Sequence, residues 1–525
     1  MKKNTKFLTP LFLLIIFLLF LKIDFRFTSS IECCGDDFDY YIHAKTLAID
    51  GDFQYDNNLE FNSYFYYFNE KIAPKGFVGS GILASPFLLI GYSIDNFFNI
   101  SGVFNFEILF YSLSAVFYVL LSVLLIKKSF NKLEVSIKKF NLLIIIFGSG
   151  IVYYSFERFS MTHSYEFFIN SLLFYFVTNF LYESNNLKLN ILSFFIPLVV
   201  CVGILVRLTN LYVLFLPYLF KLLIFEKNNK NNYFYNKAGT YIGFFCSLIL
   251  YYSLSISIYG KLILDPRIVY GESKNLQSLI LIEDNLISTF FKYFKDLINI
   301  HFGNEFGLFW ISPIIFLFLP IAFYYLYIKK YKIAALLFII FIQTFGSIII
   351  WQSTASSYGY RYVFSIIPVA IVCYFLIDNP LKKYIDNIYL TPMSLFSLVS
   401  ILFFETNSNT QLSIIEIENS FGKLTKYSQP RYVTGYLNSF FEFENYMIIF
   451  VTSFLGVIAF KFLIYLIGGN NLLLLLTNFG LPTNNSDFLT FYSRVENISV
   501  IKLVLITLFF LIFSVLLYNL ENKEN

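Results

Sequence analysis

Apolar residues in this chain neither alternate with polar ones nor recur on one face of a helix; they run in long blocks. Blocks near or above the roughly 17–25 residues needed to cross a bilayer recur along the whole sequence. They predict spans at 7–23, 105–126, 141–156, 166–182, 190–206, 209–225, 238–258, 308–327, 333–351, 362–378, 388–404, 446–467 and 501–519. The expected fold is an all-α polytopic membrane protein with about 13 transmembrane helices, within about 11–14. Residues 77–94 are also apolar, but they hold Gly79, Gly81, Pro86 and Gly91 and lead into Asp95. That stretch is expected to be interfacial or re-entrant. At the start, Met1-Lys-Lys-Asn-Thr-Lys6 precedes Phe7–Leu21 with no clean small-x-small site after it, so a retained first span is expected rather than a cleaved signal peptide.

Lysine placement orients the spans. With the N-terminus in the cytoplasm, Lys127, Lys128, Lys132, Lys138 and Lys139 fall inside. So do Lys188, the group Lys227, Lys230 and Lys237, the group Lys329, Lys330 and Lys332, and the pair Lys382 and Lys383. This is the positive-inside pattern, and counting 77–94 as a full span would reverse it for the first cluster. The external side then receives a large loop at about 24–104, expected to carry short juxtamembrane helices, and further segments near 157–165, 207–208, 259–307, 352–361 and 405–445. Trp310 and Trp351 fall at external span ends, as an interfacial belt requires.

Composition agrees with this pattern. The 525 residues are 57% hydrophobic and 14% charged, against about 25% charged in soluble domains, which excludes a soluble enzyme, a disordered chain and a coiled coil. The aromatic share of 21%, with 68 Phe, 41 Tyr and 2 Trp, fits lipid-facing bulk together with a codon bias. Cys33 and Cys34 are adjacent, while Cys201, Cys246 and Cys373 lie in apolar spans, so no disulfide framework or zinc spacing is present. No HExxH, Walker or GxGxxG motif appears, and the cytoplasmic loops are too short for an ATPase or sugar-nucleotide domain.

The scarce charges outside are therefore informative. The first external loop is acidic, with Glu32, Asp36, Asp37, Asp39, Asp50, Asp52, Asp56, Glu60 and Glu70 against Lys45, Lys71 and Lys75. Paired carboxylates just outside a span can move protons or hold a divalent cation, and they can also form a merely solvated loop. External arginines are single: Arg158 and His163 in Glu157-Arg-Phe-Ser-Met-Thr-His163, Arg207 at the end of 190–206, and Arg361 in Ser357-Tyr-Gly-Tyr-Arg-Tyr362. Each alone can stop a helix or snorkel. Together they offer planar, permanently charged forks suited to a lipid phosphate or pyrophosphate. All three histidines, His43, His163 and His301, also fall outside.

These residues resemble the GT-C superfamily, membrane glycosyltransferases that use polyprenyl-phosphate-linked sugars and include protein O-mannosyltransferases and lipid A aminoarabinose transferases. Asp36-Asp37-Phe38-Asp39-Tyr40 is similar to their first-loop Asp-Glu-x-x-Tyr pattern, with Asp in place of Glu. Tyr40-Tyr41 with Leu47-Ala-Ile-Asp-Gly-Asp52, Lys75-Gly76 to Pro86, Met161-Thr-His-Ser164, Arg207-Leu-Thr-Asn210, Gly307-Leu-Phe-Trp-Ile-Ser-Pro313 and Tyr358-Gly-Tyr-Arg361 look like uncharacterised bacterial members. The resemblance covers roughly 30–90, 148–212 and 303–368. It implies a catalytic module over 1–404, with 405–525 adding an external loop and two C-terminal spans of unknown role.

What the resemblance implies is an inverting, carboxylate-assisted sugar transfer on the outer face of a bacterial inner membrane. The donor is a polyprenyl-phosphate sugar, and the acceptor is a lipid, a glycan or a protein. Asp36 and Asp37 take the catalytic role. Arg158, Arg207, Arg361, His163 and Lys75 meet the donor phosphate, and Tyr40, Tyr41, Asp50 and Asp52 line the cavity. No nucleic acid, nucleotide or obligatory metal is implied, although the acidic loop could hold Mg²⁺ or Mn²⁺. Two other functions remain open: a transporter or lipid flippase, and a surface-polysaccharide polymerase or ligase using Lys423, Lys426 and Arg431 of the 405–445 loop. The topology makes one direct prediction: an Asp50→Cys chain in intact cells should react with a membrane-impermeant maleimide added outside. Labelling only after the cytoplasm is opened would reverse the orientation.

Overall fold

A computed structural model of the chain describes residues 35–57, 66–68, 71–99, 106–135, 137, 139–228, 237–269, 286–304, 307–351, 358–377, 381–404 and parts of 415–522. The expected first span at 7–23, Cys33 and Cys34, and Lys423 and Arg431 lie outside the described residues. Two compact units are present, one of Glu32–Leu88 and Leu113–Ile401, the other including Leu89–Ser112 and Leu402–Asn525.

The protein is mostly helical. Its helices are α1 Gly35–Lys45, α2 Gly79–Phe97, α3 Phe106–Lys132, α4 Lys139–Ile146, α5 His163–Tyr182, α6 Asn186–Val206, α7 Leu216–Asn228, α8 Ala238–Tyr259, α9 Leu286–Phe302, α10 Phe318–Tyr327, α11 Tyr331–Trp351, α12 Ile367–Leu376, α13 Thr391–Phe403, α14 Phe454–Ile467, α15 Gly469–Asn478 and α16 Val500–Asn522. Among the described residues, strands form only two short antiparallel hairpins, β1 Tyr66–Phe68 with β2 Lys71–Ala73, and β3 Ile415–Glu418 with β4 Leu424–Tyr427.

Among the described residues, six helices are long and apolar enough to cross a membrane, and a seventh candidate is the pair α14–α15, bent by 116°. About 13 continuous spans are therefore not found among the described residues. The runs expected at 141–156, 308–327 and 362–378 are apolar but broken. The first passes through wide turns at Phe147–Ile151 and Tyr153–Glu157, with Gly150 at φ +90°. The second restarts at Pro313 after Ser312. The third opens with a tighter turn at Arg361–Ile366. Hydropathy sums side chains and is blind to such backbone breaks.

The stretch expected to be interfacial, 77–94, forms the 19-residue α2, which continues through Pro86. Proline lacks the amide that would have bonded to Ile82, and the Ser85 hydroxyl donates to that carbonyl at 3.0 Å instead.

Close helix approach in the larger unit depends on glycine. Gly239 and Gly243, one turn apart on α8, sit against the Asn190 and Phe194 carbonyls of α6, where a β-carbon would overlap either oxygen. This small-xxx-small contact is what membrane helices use to pack without a hydrophobic driving force. The pairing runs in register along both helices, so α6 and α8 point the same way, as the single intervening crossing at 208–226 requires. The opposite side of α8 exposes Phe244, Phe245, Leu248 and Ile249, an apolar surface suited to lipid.

The first loop folds onto the ends of these helices. Ile42, Tyr55, Tyr66 and Phe77 bury against Leu205, Ile258 and Tyr259. Tyr259 donates to the Gly76 carbonyl at 2.7 Å, and Tyr66 donates to the Tyr259 carbonyl at 3.2 Å. α2 starts with Gly79 pressed on the Leu205–Val206 backbone, and Gly81 lies where a β-carbon would stand 2.6 Å from His43 Cβ. In the other unit, the Asp95 carboxylate caps α3 by accepting from the Phe106 and Glu107 amides at 2.8 and 2.9 Å.

His43 has its Nδ1 2.8 Å from the Tyr55 hydroxyl. Burial, outweighing a hydrogen bond with the Gly76 backbone, pushes it down to about 3. An unfolded histidine titrates near 6.5. The folded loop therefore binds fewer protons, and stability falls as pH drops below that value. Lowering pH from about 7.5 to about 5 should cost roughly 2 kcal/mol. Thermal unfolding in detergent checks this, and His43→Gln should flatten that part of the pH profile.

Candidate functional site

The site is built around the break between α4 and α5. Gly148 lies on the Ser394 backbone, and Gly150 turns with positive φ beneath Tyr358 and Phe364. The freed backbone groups find side-chain partners. Ser312 donates to the Ser149 carbonyl at 2.8 Å, Ser164 to the Tyr154 carbonyl at 3.2 Å, and the Tyr154 hydroxyl to the Tyr358 carbonyl at 2.8 Å. Non-helical backbone at membrane depth survives only with such substitutes. The break leaves a turn at 158–162 that carries polar side chains in two directions.

In one direction the turn grips the acidic helix α1. Arg158 Nη2 lies 2.6 Å from Asp37 Oδ2, and the Ser160 hydroxyl donates to Asp37 Oδ1 at 2.6 Å. Asp37 is 4% exposed, so both oxygens are satisfied where water could not reach them. Asp36 belongs to the same helix, and its side chain lies outside the described residues. Tyr40 and Tyr41 are buried. A β-carbon on Gly76 would stand 2.7 Å from Tyr40 Cε1, so the turn carrying half-buried Lys75 rests on α1.

In the other direction the turn reaches the remaining cations. Glu166, in the first turn of α5, accepts from the Thr162 hydroxyl at 2.8 Å. Its Oε1 is 3.5 Å from Arg207 Nη1, and its Oε2 is 3.4 Å from His163 Nδ1. The Arg207 guanidinium lies 3.9 Å from the centre of the Tyr362 ring, and Arg361 lies 5.4 Å from the same ring. Arg361 Nη1 also approaches Met161 Sδ at 3.9 Å. Two guanidinium groups therefore lie beside one aromatic ring. The Glu166 carboxylate thus meets Arg207 and His163, and Arg361 joins them through the Tyr362 contact.

The expected site residues thus divide. Asp37 and Arg158 come together, as do Arg207, Arg361 and His163, and residues 158–166 join the two groups. Asp50 and Asp52 do not join them. They lie at the far end of the α1 helix and its extension, about 20 Å along the axis from Asp37, where Asp50 accepts from Asn57 and Asp52 from the Gln54 amide. Among the described residues, no three His, Cys, Asp or Glu side chains gather as metal ligands.

Sequence reasoning missed Ser160, Glu166 and Tyr362 as site residues. Glu166 carried a usable signal: a carboxylate at the start of an apolar span, four residues after Thr162, needs a buried partner. Compared with family models, curated proteins and solved structures, the chain finds no match.

The buried pair has a measurable signature. Removing one partner strands the other charge, at a cost of roughly 3–5 kcal/mol. Arg158→Ala and Asp37→Ala should each lower the unfolding temperature, and the double variant should lose clearly less than the sum. Additive losses would show the pair to be uncoupled.

Proposed function

We propose that this chain is a membrane glycosyltransferase of GT-C type, moving a sugar from a polyprenyl-phosphate donor to an acceptor on the outer face of the membrane. The observation that carries this reading is the stretch 158–166, which ties the first-loop carboxylate Asp37 to Arg158 while placing Met161 and Glu166 on Arg361 and Arg207. A carboxylate-bearing loop helix and a cationic cluster are the two parts that transfer from a lipid phosphate requires. The resemblance of the first loop to the family pattern supports the same reading, as does the abundance of apolar helix. About 13 crossings, with the broken runs each counted as one, complete the proposed topology.

In this reaction the acceptor oxygen or nitrogen attacks the anomeric carbon from the face opposite the phosphate. The bond from that carbon to the phosphate oxygen breaks, its electron pair stays on the phosphate, and the acceptor proton passes to a carboxylate. Asp36 is the proposed proton acceptor. Asp37, with both oxygens engaged, holds Arg158 in place. Arg207 and Arg361 meet the charge that grows on the leaving phosphate, with His163 and Lys75 behind them.

The broken helix favours one second reading. Transporters also place half-helices and ionisable groups beside their ligand, so a lipid carrier is the alternative.

Mass spectrometry of surface glycans and glycolipids distinguishes the two. Deleting the gene should remove one sugar from one acceptor class. Restoring the wild-type chain should return the sugar, while Asp36→Asn or Asp37→Asn should insert into the membrane without restoring it. Arg361→Ala should slow transfer roughly 10²–10³-fold. Full activity in both Asn variants would remove the carboxylate assignment, and an unmodified donor accumulating on one leaflet would favour the carrier.

A further inference from the structure

Helix α9 is not needed for the site, yet its surface is unusual. Phe290, Phe294, Ile298 and Phe302 recur every fourth residue and form one stripe, with Phe291 beside it. All five are exposed, Phe290 by 64% and Phe302 by 59%. Lys295 and Asn299 are also exposed but belong to the polar side of the helix. The helix is bare and aromatic along one side and polar beside it, and it packs on protein at its C-terminal end, where Phe302 also meets Phe316 at 5.2 Å. Bare phenylalanine rows of this length do not persist against water.

The packed side fixes the depth of the helix. His301 is buried and stacks on Phe345 of α11, with ring centres 5.0 Å apart and planes 15° from parallel; Phe341 follows at 6.0 Å. Phe345 stands six residues before Trp351, which places the contact about 9 Å inside the end of that span. Amphipathic helices in a bilayer interface bury their apolar face by about 5–10 Å. The helix that receives this contact also bears bare apolar surface, because Ile342 of α11 is 68% exposed.

We propose that α9 lies flat in the interfacial layer of the bilayer at the Trp351 end of α11, with Phe290, Phe291, Phe294 and Ile298 among acyl chains and Lys295 at the phosphates. The occupant of the bare face is phospholipid, whatever reaction the chain performs. A photoreactive benzoylphenylalanine placed at Phe294, and separately at Phe290, Asn299 and Ile342, tests this in the full chain. The chain is reconstituted in phosphatidylethanolamine–phosphatidylglycerol vesicles and illuminated. The expected result is a mass increase of one phospholipid at Phe290 and Phe294, as at the span position Ile342, with little or none at Asn299. A cross-linked dimer from Phe294, or no lipid adduct at Phe290 and Phe294 while Ile342 forms one, would overturn the proposal.

Discussion

A carboxylate and a guanidinium buried against each other hold the larger unit in its working arrangement. Asp37 sits in the first loop and Arg158 in the break of a helix more than a hundred residues later, and they meet at 2.6 Å with both nearly out of solvent. Neither charge could stay buried alone, because desolvation would exceed any packing gain. The pair therefore specifies which face of α1 turns inward and where the α4–α5 break must stop. Ser160 completes the arrangement by filling the second carboxylate oxygen. Once that contact is set, Met161, Thr162, His163 and Glu166 follow within a turn and a half and meet the other arginines.

The break itself costs backbone hydrogen bonds, and the fold supplies replacements from hydroxyl groups. Ser312, Ser164, Tyr154 and Tyr358 all serve the irregular segments, the last through Ser397 and Ser400 on α13. A chain with 57% hydrophobic residues thus sets several of its serines and tyrosines where helices fail. The same device on a smaller scale lets α2 pass through Pro86, where Ser85 takes over the abandoned carbonyl. Polar side chains inside this unit answer local backbone needs first, and only the remainder is free for chemistry.

Much of this was legible in the sequence. Long apolar blocks marked helices, and the first-loop carboxylates and isolated arginines included Asp37, Arg158, Arg207 and Arg361, which gather in the candidate site. What escaped was what depends on backbone shape. A hydropathy window reads 141–156 as one span because Gly150 is as acceptable to it as alanine, although the positive φ there breaks the helix. The resemblance sets Asp50 and Asp52 in one cavity with Tyr40 and Tyr41, yet the helix and its extension carry them about 20 Å from Asp37. Glu166 was absorbed into an apolar run, although a lone carboxylate there was a sign of a buried cation. Gly239 and Gly243 carry the small-xxx-small spacing of a close helix crossing, which a hydropathy window does not register.

Gly79 begins α2 directly on the Leu205–Val206 backbone, one residue before Arg207. Two residues later Gly81 presses on His43, which shares a helix with Asp37. With no side chain at either crossing there is no soft cushion between the backbones, so α2 acts as a rigid strut between the loop helix and the end of α6. A shift of the loop helix would be carried through α2 to the backbone just before Arg207.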